Sequence, residues 1–112
     1  MINDYMELMG REGRIILVNE PYTVLTFSIC NDYRPYSEKE SFEYLPHDPY
    51  GHICFIETMA CKKWSRELLR RLEEAIVRKY PQLDCAVWIR PEGLEERKYY
   101  YRRRYYEASL RN

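Results

Sequence analysis

The chain has 112 residues and a mass of 13.8 kDa, with 46% apolar residues and 18 basic side chains against 18 acidic ones. This length is typical of one domain, and the composition fits a globular protein and argues against a disordered chain. No apolar run approaches the roughly 20 residues of a membrane-spanning helix, and no basic segment followed by an apolar stretch opens the chain. We therefore expect neither a transmembrane helix nor a secretory signal.

The first 30 residues predict one helix and two strands. Apolar side chains recur at roughly helical spacing through residues 1–13, and Gly10 and Gly13 end this pattern. Residues 14–19 contain a β-branched run of strand length, and residues 22–30 alternate between polar and apolar side chains. Because only a short turn separates these two runs, we expect an antiparallel hairpin.

The middle of the chain predicts a long loop. Residues 31–51 contain three prolines and many polar side chains, without a clear period. About 20 residues is long for a connection without structure, so we expect this loop to be functional or partly structured. Its aromatic residues indicate that it packs against the rest of the protein.

The second half predicts a strand, a helix, a strand and a final helix. Residues 52–59 are apolar on both faces, as in a central strand. Residues 65–80 form the clearest amphipathic pattern, with Ser65 as the capping residue. Residues 83–89 form a short apolar strand, and residues 94–110, rich in Tyr and Arg, predict the closing helix.

This order of elements predicts an α/β (α+β) fold in a single domain over residues 1–112. The strand–helix–strand unit favours parallel pairing with a right-handed crossover, whereas the first two strands are antiparallel. A mixed central sheet with helices packed against it follows.

Cysteine spacing argues against a metal or redox centre. No two of the four cysteines are spaced as C-x-x-C, so the strong zinc and redox signatures are missing. A metal site that recruits His47 or His52 is therefore disfavoured, and no metal ligand is predicted. We expect reduced thiols packed in the core, at Cys30, Cys54, Cys61 and Cys85.

Three stretches of the chain have an order and spacing of elements that resemble those of a known fold. Residues 15–29 (IILVNEPYTVLTFSI) are similar to a central hairpin of two strands joined by a short turn. Residues 53–80 form a strand, a short loop and a long amphipathic helix, and residues 85–107 end in YYRRRYYE, close to a "fYerrGFe" pattern. Together they resemble the GNAT acetyltransferase fold without its first strand and first helix, a truncated β-β-β-α-β-α core. The chain looks most like the small, divergent acetyltransferase-like proteins of phages.

The resemblance implies an acetyl-CoA site between the third and fourth predicted strands. The pantetheine arm would enter a gap between them, and the pyrophosphate would lie on the N–H groups at the start of the following helix. The chain departs from the glycine-rich family loop, because Ala60 stands for an Arg and Lys63 and Ser65 stand for glycines. The implied cofactor-binding residues are Thr58, Met59, Ala60, Lys62, Lys63, Trp64 and Ser65.

The resemblance also implies transfer of an acetyl group to an amine. This reaction needs a base for the ammonium and an acid for the departing thiolate. Glu57, at the end of the third strand, is the candidate base, and the alternative is a strand-end carboxylate in water. Tyr101 aligns with the family's acid, and the alternative is aromatic packing with the hydroxyl at the rim.

Two functions of other classes stay open. Residues 1–57 carry a net charge of −6 and residues 58–112 carry +6, which suggests either an anionic partner or a solvated basic helix face. A GNAT-like phage or virion protein that has lost catalysis would be a protein-interaction module. The basic, Tyr-rich residues 97–106 also permit nucleic-acid binding. We expect an amine substrate or a protein partner, no membrane, and a location in the cytoplasm or virion.

Overall fold

The computed structural model describes residues 2–19, 22–40, 42–90 and 95–101. In chain order its elements are α1 (Ile2–Arg11), β1 (Ile15–Asn19), β2 (Tyr22–Cys30), α2 (Arg34–Glu38), β3 (Ile53–Cys61), α3 (Arg66–Lys79), β4 (Cys85–Arg90) and β5 (Glu95–Tyr100). The strands form one sheet in the order β1-β2-β3-β4-β5. The helices pack against this mixed sheet, which confirms the predicted fold class.

The pairing of β1 with β2 and of β3 with β4 is the one that the sequence predicts. β1 and β2 form the predicted antiparallel hairpin, and β2 pairs antiparallel with β3. β3 and β4 are parallel, because α3 carries the chain back across the sheet between them. Ser65 caps α3 as predicted, since its Oγ accepts a hydrogen bond of 3.0 Å from the N–H of Leu68.

The sheet separates a large apolar cluster from a small one. On one face, alternate β2 side chains pack against the apolar face of α3, with Leu25, Phe27 and Ile29 fully buried. The other face holds a smaller cluster that includes Phe55 and Val87. Of the helices in the described part of the chain, none is both long and apolar enough to cross a membrane.

Residues 31–51 are partly structured, as their length and aromatic content predict. They contain the one-turn helix α2, whose start packs against β3. The ring centroids of Tyr33 and Tyr36 lie 6.3 Å and 6.2 Å from that of Phe55. This segment therefore covers the sheet face opposite to α3.

The predicted closing helix over residues 94–110 is wrong where the structure describes it. Residues 95–100 form β5, which pairs antiparallel with β4 along its whole length. Side chains of this segment alternate in exposure with a period of two, and Tyr favours strands over helices. Residues 102–110 lie outside the described part of the chain.

Gly51 lies where the backbone of β2 leaves no room for a side chain. A Cβ atom at this position would come within 2.7 Å of the carbonyl carbon and oxygen of Cys30. We expect Gly51→Ala to lower the free energy of unfolding by about 1–3 kcal/mol, as overpacking does. Urea denaturation measures this loss.

Gly10→Ala is the matched control. Gly10 lies in α1, and a Cβ there would meet only the Ile15 side chain, at an ordinary 3.6 Å. Because Ala favours a helix over Gly, we expect this variant to be more stable by up to about 1 kcal/mol. Equal urea midpoints for the two variants would contradict the close approach at Gly51.

Candidate functional site

The two parallel strands, β3 and β4, pair over only three residue pairs and then separate. Ile53 pairs with Cys85, Cys54 with Ala86 and Phe55 with Val87. Beyond these pairs β3 continues beside β2 only, and β4 continues beside β5 only. The two facing backbone edges are therefore not joined, and this opening is where the GNAT resemblance implies a ligand gap.

A β-bulge at Glu57 accounts for the opening. Thr26 of β2 lies opposite Thr58, and the next residue, Phe27, lies opposite Ile56, so that Glu57 is the extra residue of β3. A bulge bends a strand and increases its twist. Because this bulge lies two residues after the last pair with β4, it turns β3 away from β4 where the opening begins.

The Glu57 carboxylate is buried and bound by four side chains of the same protein. It forms ion pairs with Arg14 (3.2 Å) and Lys39 (2.9 Å). It also accepts hydrogen bonds from the hydroxyl groups of Tyr5 (3.1 Å) and Ser28. Both carboxylate oxygens are thus engaged by the fold, whereas a general base needs an oxygen directed at its substrate. The role of Glu57 as a base stays a prediction that this geometry does not favour.

Arg14 is fully buried and extends the same network to the loop. Its Nε donates to the carbonyl oxygen of Phe27 (3.0 Å), and a terminal nitrogen donates to that of Leu45 (2.9 Å). The other terminal nitrogen forms an ion pair with Glu12 at 2.7 Å. The sequence analysis missed Arg14 and Lys39, although they are two of only four basic residues in an acidic half of the chain.

A cavity of about 160 Å³ adjoins Glu57 on the α2 side of the sheet. Its lining includes residues of both separated strands, so it lies at the opening. The charged pair of Lys39 and Glu57 forms a polar wall of this cavity, and the apolar lining includes Phe42, Phe55 and Ile89. Ser37, Glu40 and Thr58 add further polar groups to the lining, so the cavity suits a small group that has both polar atoms and apolar carbon.

Two indole rings meet on the α3 side of the opening. Trp64 follows β3, and its ring centroid lies 6.2 Å from that of Trp88, the first residue of β4 beyond the paired segment. The Trp64 side chain remains 44% exposed. The predicted route from the helix start into the opening therefore passes this indole pair.

The start of α3 is strongly basic. Lys62 and Lys63 are exposed just before the helix, and Arg66 and Arg70 line a cavity of about 340 Å³ beside it. Cations at a helix N-terminus oppose the helix dipole, so this arrangement favours an anion nearby. Glu67 also lines the cavity and pairs with Arg70 at 2.7 Å.

The other predicted cofactor residues occupy different positions along β3. Thr58 lines the cavity beside Glu57, and its hydroxyl forms a hydrogen bond of 2.7 Å with the hydroxyl of Thr26. Met59 packs against the cluster under α3, and Ala60 is exposed. The structure thus groups the residues from Lys62 onwards at the start of α3, separately from Thr58.

Tyr101 lies outside the opening, on the face of the sheet opposite to Glu57. It is buried in the cluster under α3, and its N–H donates to the carbonyl oxygen of Asp84, just before β4 (3.0 Å). That position is about 10 Å along the strand from Val87, where the opening begins. Burial and the neighbouring Cys54 thiol raise the pKa of Tyr101 well above its usual value. The structure does not bring Tyr101 and Glu57 together.

The remaining predicted sites are described only in part. Of the basic, Tyr-rich residues 97–106, only 97–101 are described, and Tyr99 and Tyr101 contact each other at 6.1 Å between ring centroids. The two rings pack together, but the Tyr101 hydroxyl is buried and does not lie at the rim. Within the described ranges, no three His, Cys, Asp or Glu side chains are grouped so that they could hold a metal ion.

Comparisons with known proteins identify no relative. No protein-family model matches the chain, and no curated protein or solved structure is significantly similar to it. The GNAT resemblance therefore rests on the order of the residues alone.

Replacing Glu57 by Gln tests its structural role. The substitution leaves Arg14 and Lys39 as buried cations without their shared carboxylate, which typically costs about 3–5 kcal/mol. We expect urea denaturation to show a loss of this size in the free energy of unfolding. Glu7→Gln is the control, because Glu7 forms only an exposed pair with Arg11 and should change stability by less than about 0.5 kcal/mol. A stable Glu57→Gln protein would restore Glu57 as a candidate base.

The lowered pKa of His47 predicts that the protein loses stability in mild acid. Burial, and the positive charge of Arg14, lower the pKa of His47, whose Nδ1 accepts the N–H of Ile29 (3.3 Å). The unfolded chain therefore binds a proton near pH 6.5 before the folded chain does, and stability falls as the pH drops from about 7 through the lowered pKa. Thermal melts across this range measure the slope. His47→Gln should reduce it, with His52→Gln as control, and an unchanged slope in His47→Gln would refute this assignment.

Proposed function

We propose that this chain is a GNAT-like domain that binds acetyl-CoA, or a related acyl-CoA, in the opening between β3 and β4. The observation that carries the proposal is the parting of the two parallel strands after three residue pairs. The cavity beside Glu57 lies at this opening, and a second cavity lies beside the start of α3, between that helix and Tyr99 of β5. These features suit a ligand with three parts: an anionic end for the start of α3, a narrow arm for the gap between the strands and a small acyl group for the cavity beside Glu57.

The anionic end of the ligand fits the start of α3. Lys62 and Lys63 flank the helix start, and the cavity beside it presents Arg66 and Arg70. Arginine binds phosphate through parallel N–H donors, and the N–H groups of a first helical turn add a positive field. The phosphates of coenzyme A would lie here.

The pantetheine arm fits between the separated strand edges. Residues 58–61 of β3 and 88–90 of β4 each have a strand partner on one side only. Backbone N–H and C=O groups on the facing edges suit the two amides of a pantetheine arm. Trp64 lies on this route, so binding requires its indole to move away from Trp88.

The acyl group fits the cavity beside Glu57. Its volume of about 160 Å³ suits an acetyl or another short acyl group, and its apolar lining suits the methyl carbon. The Lys39 ammonium, paired with Glu57, can donate a hydrogen bond to the thioester carbonyl.

The proposal does not assign acetyl transfer to Glu57 and Tyr101. Glu57 is held by its four donors, and Tyr101 is buried on the opposite face of the sheet. We therefore propose binding of the acyl-CoA as the primary function, with transfer to an amine dependent on groups other than this pair. A coenzyme A ligand would be consistent with the cytoplasmic location expected from the sequence.

Fluorescence of Trp64 tests the proposal. In a Trp88→Phe background Trp64 is the single tryptophan, and titration with coenzyme A should change its emission as the indole leaves the opening. Arg66→Ala should weaken the affinity about tenfold, because it removes a charged phosphate contact. Arg78→Ala is the matched control, since Arg78 is exposed in the last turn of α3 and should leave the affinity unchanged.

Two outcomes would contradict the proposal. One is no change in emission or melting temperature at millimolar coenzyme A, since a ligand that binds only the folded state raises its stability. The other is equal weakening by Arg66→Ala and Arg78→Ala, which would indicate non-specific charge attraction. Either result would leave a protein-interaction module as the preferred function.

A further inference from the structure

The outer edge of β1 is apolar and uncovered by any element in the described part of the chain. β1 is the first strand in the sheet order, so only one of its edges faces β2. Its sequence is IILVN, without a charged residue or a proline. Leu17, at its centre, is 58% exposed.

The hydrogen-bond pattern identifies which backbone groups point outward. The Phe27 N–H donates to the Arg14 carbonyl oxygen (3.1 Å), immediately before β1. Because bonded and non-bonded positions alternate in an antiparallel ladder, Ile16 and Val18 bond to β2. Ile15, Leu17 and Asn19 therefore direct their N–H and C=O groups away from the sheet.

The opposite edge of the same sheet is protected. β5 carries four consecutive charged residues, from Glu95 to Lys98. Charges on an edge strand prevent pairing with another chain, and an apolar edge without them invites it. The difference between the two edges singles out β1 as the edge suited to pairing.

We propose that two copies of this chain pair antiparallel through β1 to form a symmetric dimer. A two-fold axis at Leu17 places Leu17 opposite its copy, and Ile15 opposite Asn19 of the second chain. Every outward backbone group of β1 then has a partner, which gives about six hydrogen bonds between the chains. No like charges face each other, because β1 has none. The outer β1 edge of each chain is then paired, so no further chain can add and the assembly is a dimer.

Sedimentation velocity of the full chain over a range of concentrations tests the dimer. We expect a concentration-dependent species of twice the 13.8 kDa chain mass. Leu17→Pro should raise the dissociation constant by about tenfold or more, because proline removes the central outward donor. The ladder with β2 stays intact in this variant, since the Leu17 N–H points away from it.

Leu17→Lys gives an independent variant if the proline disturbs the strand. It places two ammonium groups opposite each other on the dimer axis and should weaken the dimer by a similar factor. Tyr50→Lys makes the same charge change at a residue that is 84% exposed and away from β1, and should leave the dimer unchanged. A monomer at all concentrations up to about 100 µM would overturn the proposal. So would a dimer that neither Leu17 variant weakens.

Discussion

The Glu57 carboxylate lies inside the protein, where an unpaired charge would be very costly. Arg14 and Lys39 compensate this charge, and these two residues come from the position just before β1 and from the segment after α2. Tyr5 brings α1 to the same carboxylate, and Ser28 brings β2. The carboxylate of one β3 residue thus connects α1, β2, the residue before β1 and the segment after α2.

The same residue links stability to the candidate site. Glu57 is the bulged residue of β3, and the bulge turns the strand away from β4. The carboxylate then lies beside the cavity at the opening instead of facing a cross-strand neighbour. A buried ion pair is weak evidence for stability, but it specifies one arrangement among several of similar packing. In this protein the specified arrangement is the bulged β3, with Glu57 in its ion pairs and β3 separated from β4.

Local patterns predicted most of the fold, and long-range contacts decided the rest. The hairpin, the Ser65 cap and the parallel crossover follow from short-range periodicity and turn chemistry. β5 was predicted as a helix, because a run of adjacent Tyr and Arg fits the spacing of a helix as well as that of a strand. Only the pairing with β4 shows that it is a strand. The bulge and the partners of Glu57 depend on residues up to 52 positions away, so no local signal predicts them. For the same reason, the sequence did not reveal that Glu57 and Tyr101 lie on opposite faces.

The three-pair contact between β3 and β4 divides the sheet into unequal halves. β1, β2 and β3 share long antiparallel ladders, and β4 and β5 form a separate hairpin along six residue pairs. Backbone pairing between the halves is limited to these three residue pairs, so we expect amide hydrogens at this boundary to be less protected than those within the antiparallel ladders. Cooperative units of this kind exchange their amide hydrogens at different rates. Side-chain packing of Cys54 and Ile56 with Ala86 therefore joins the two halves where the backbone ladder is short.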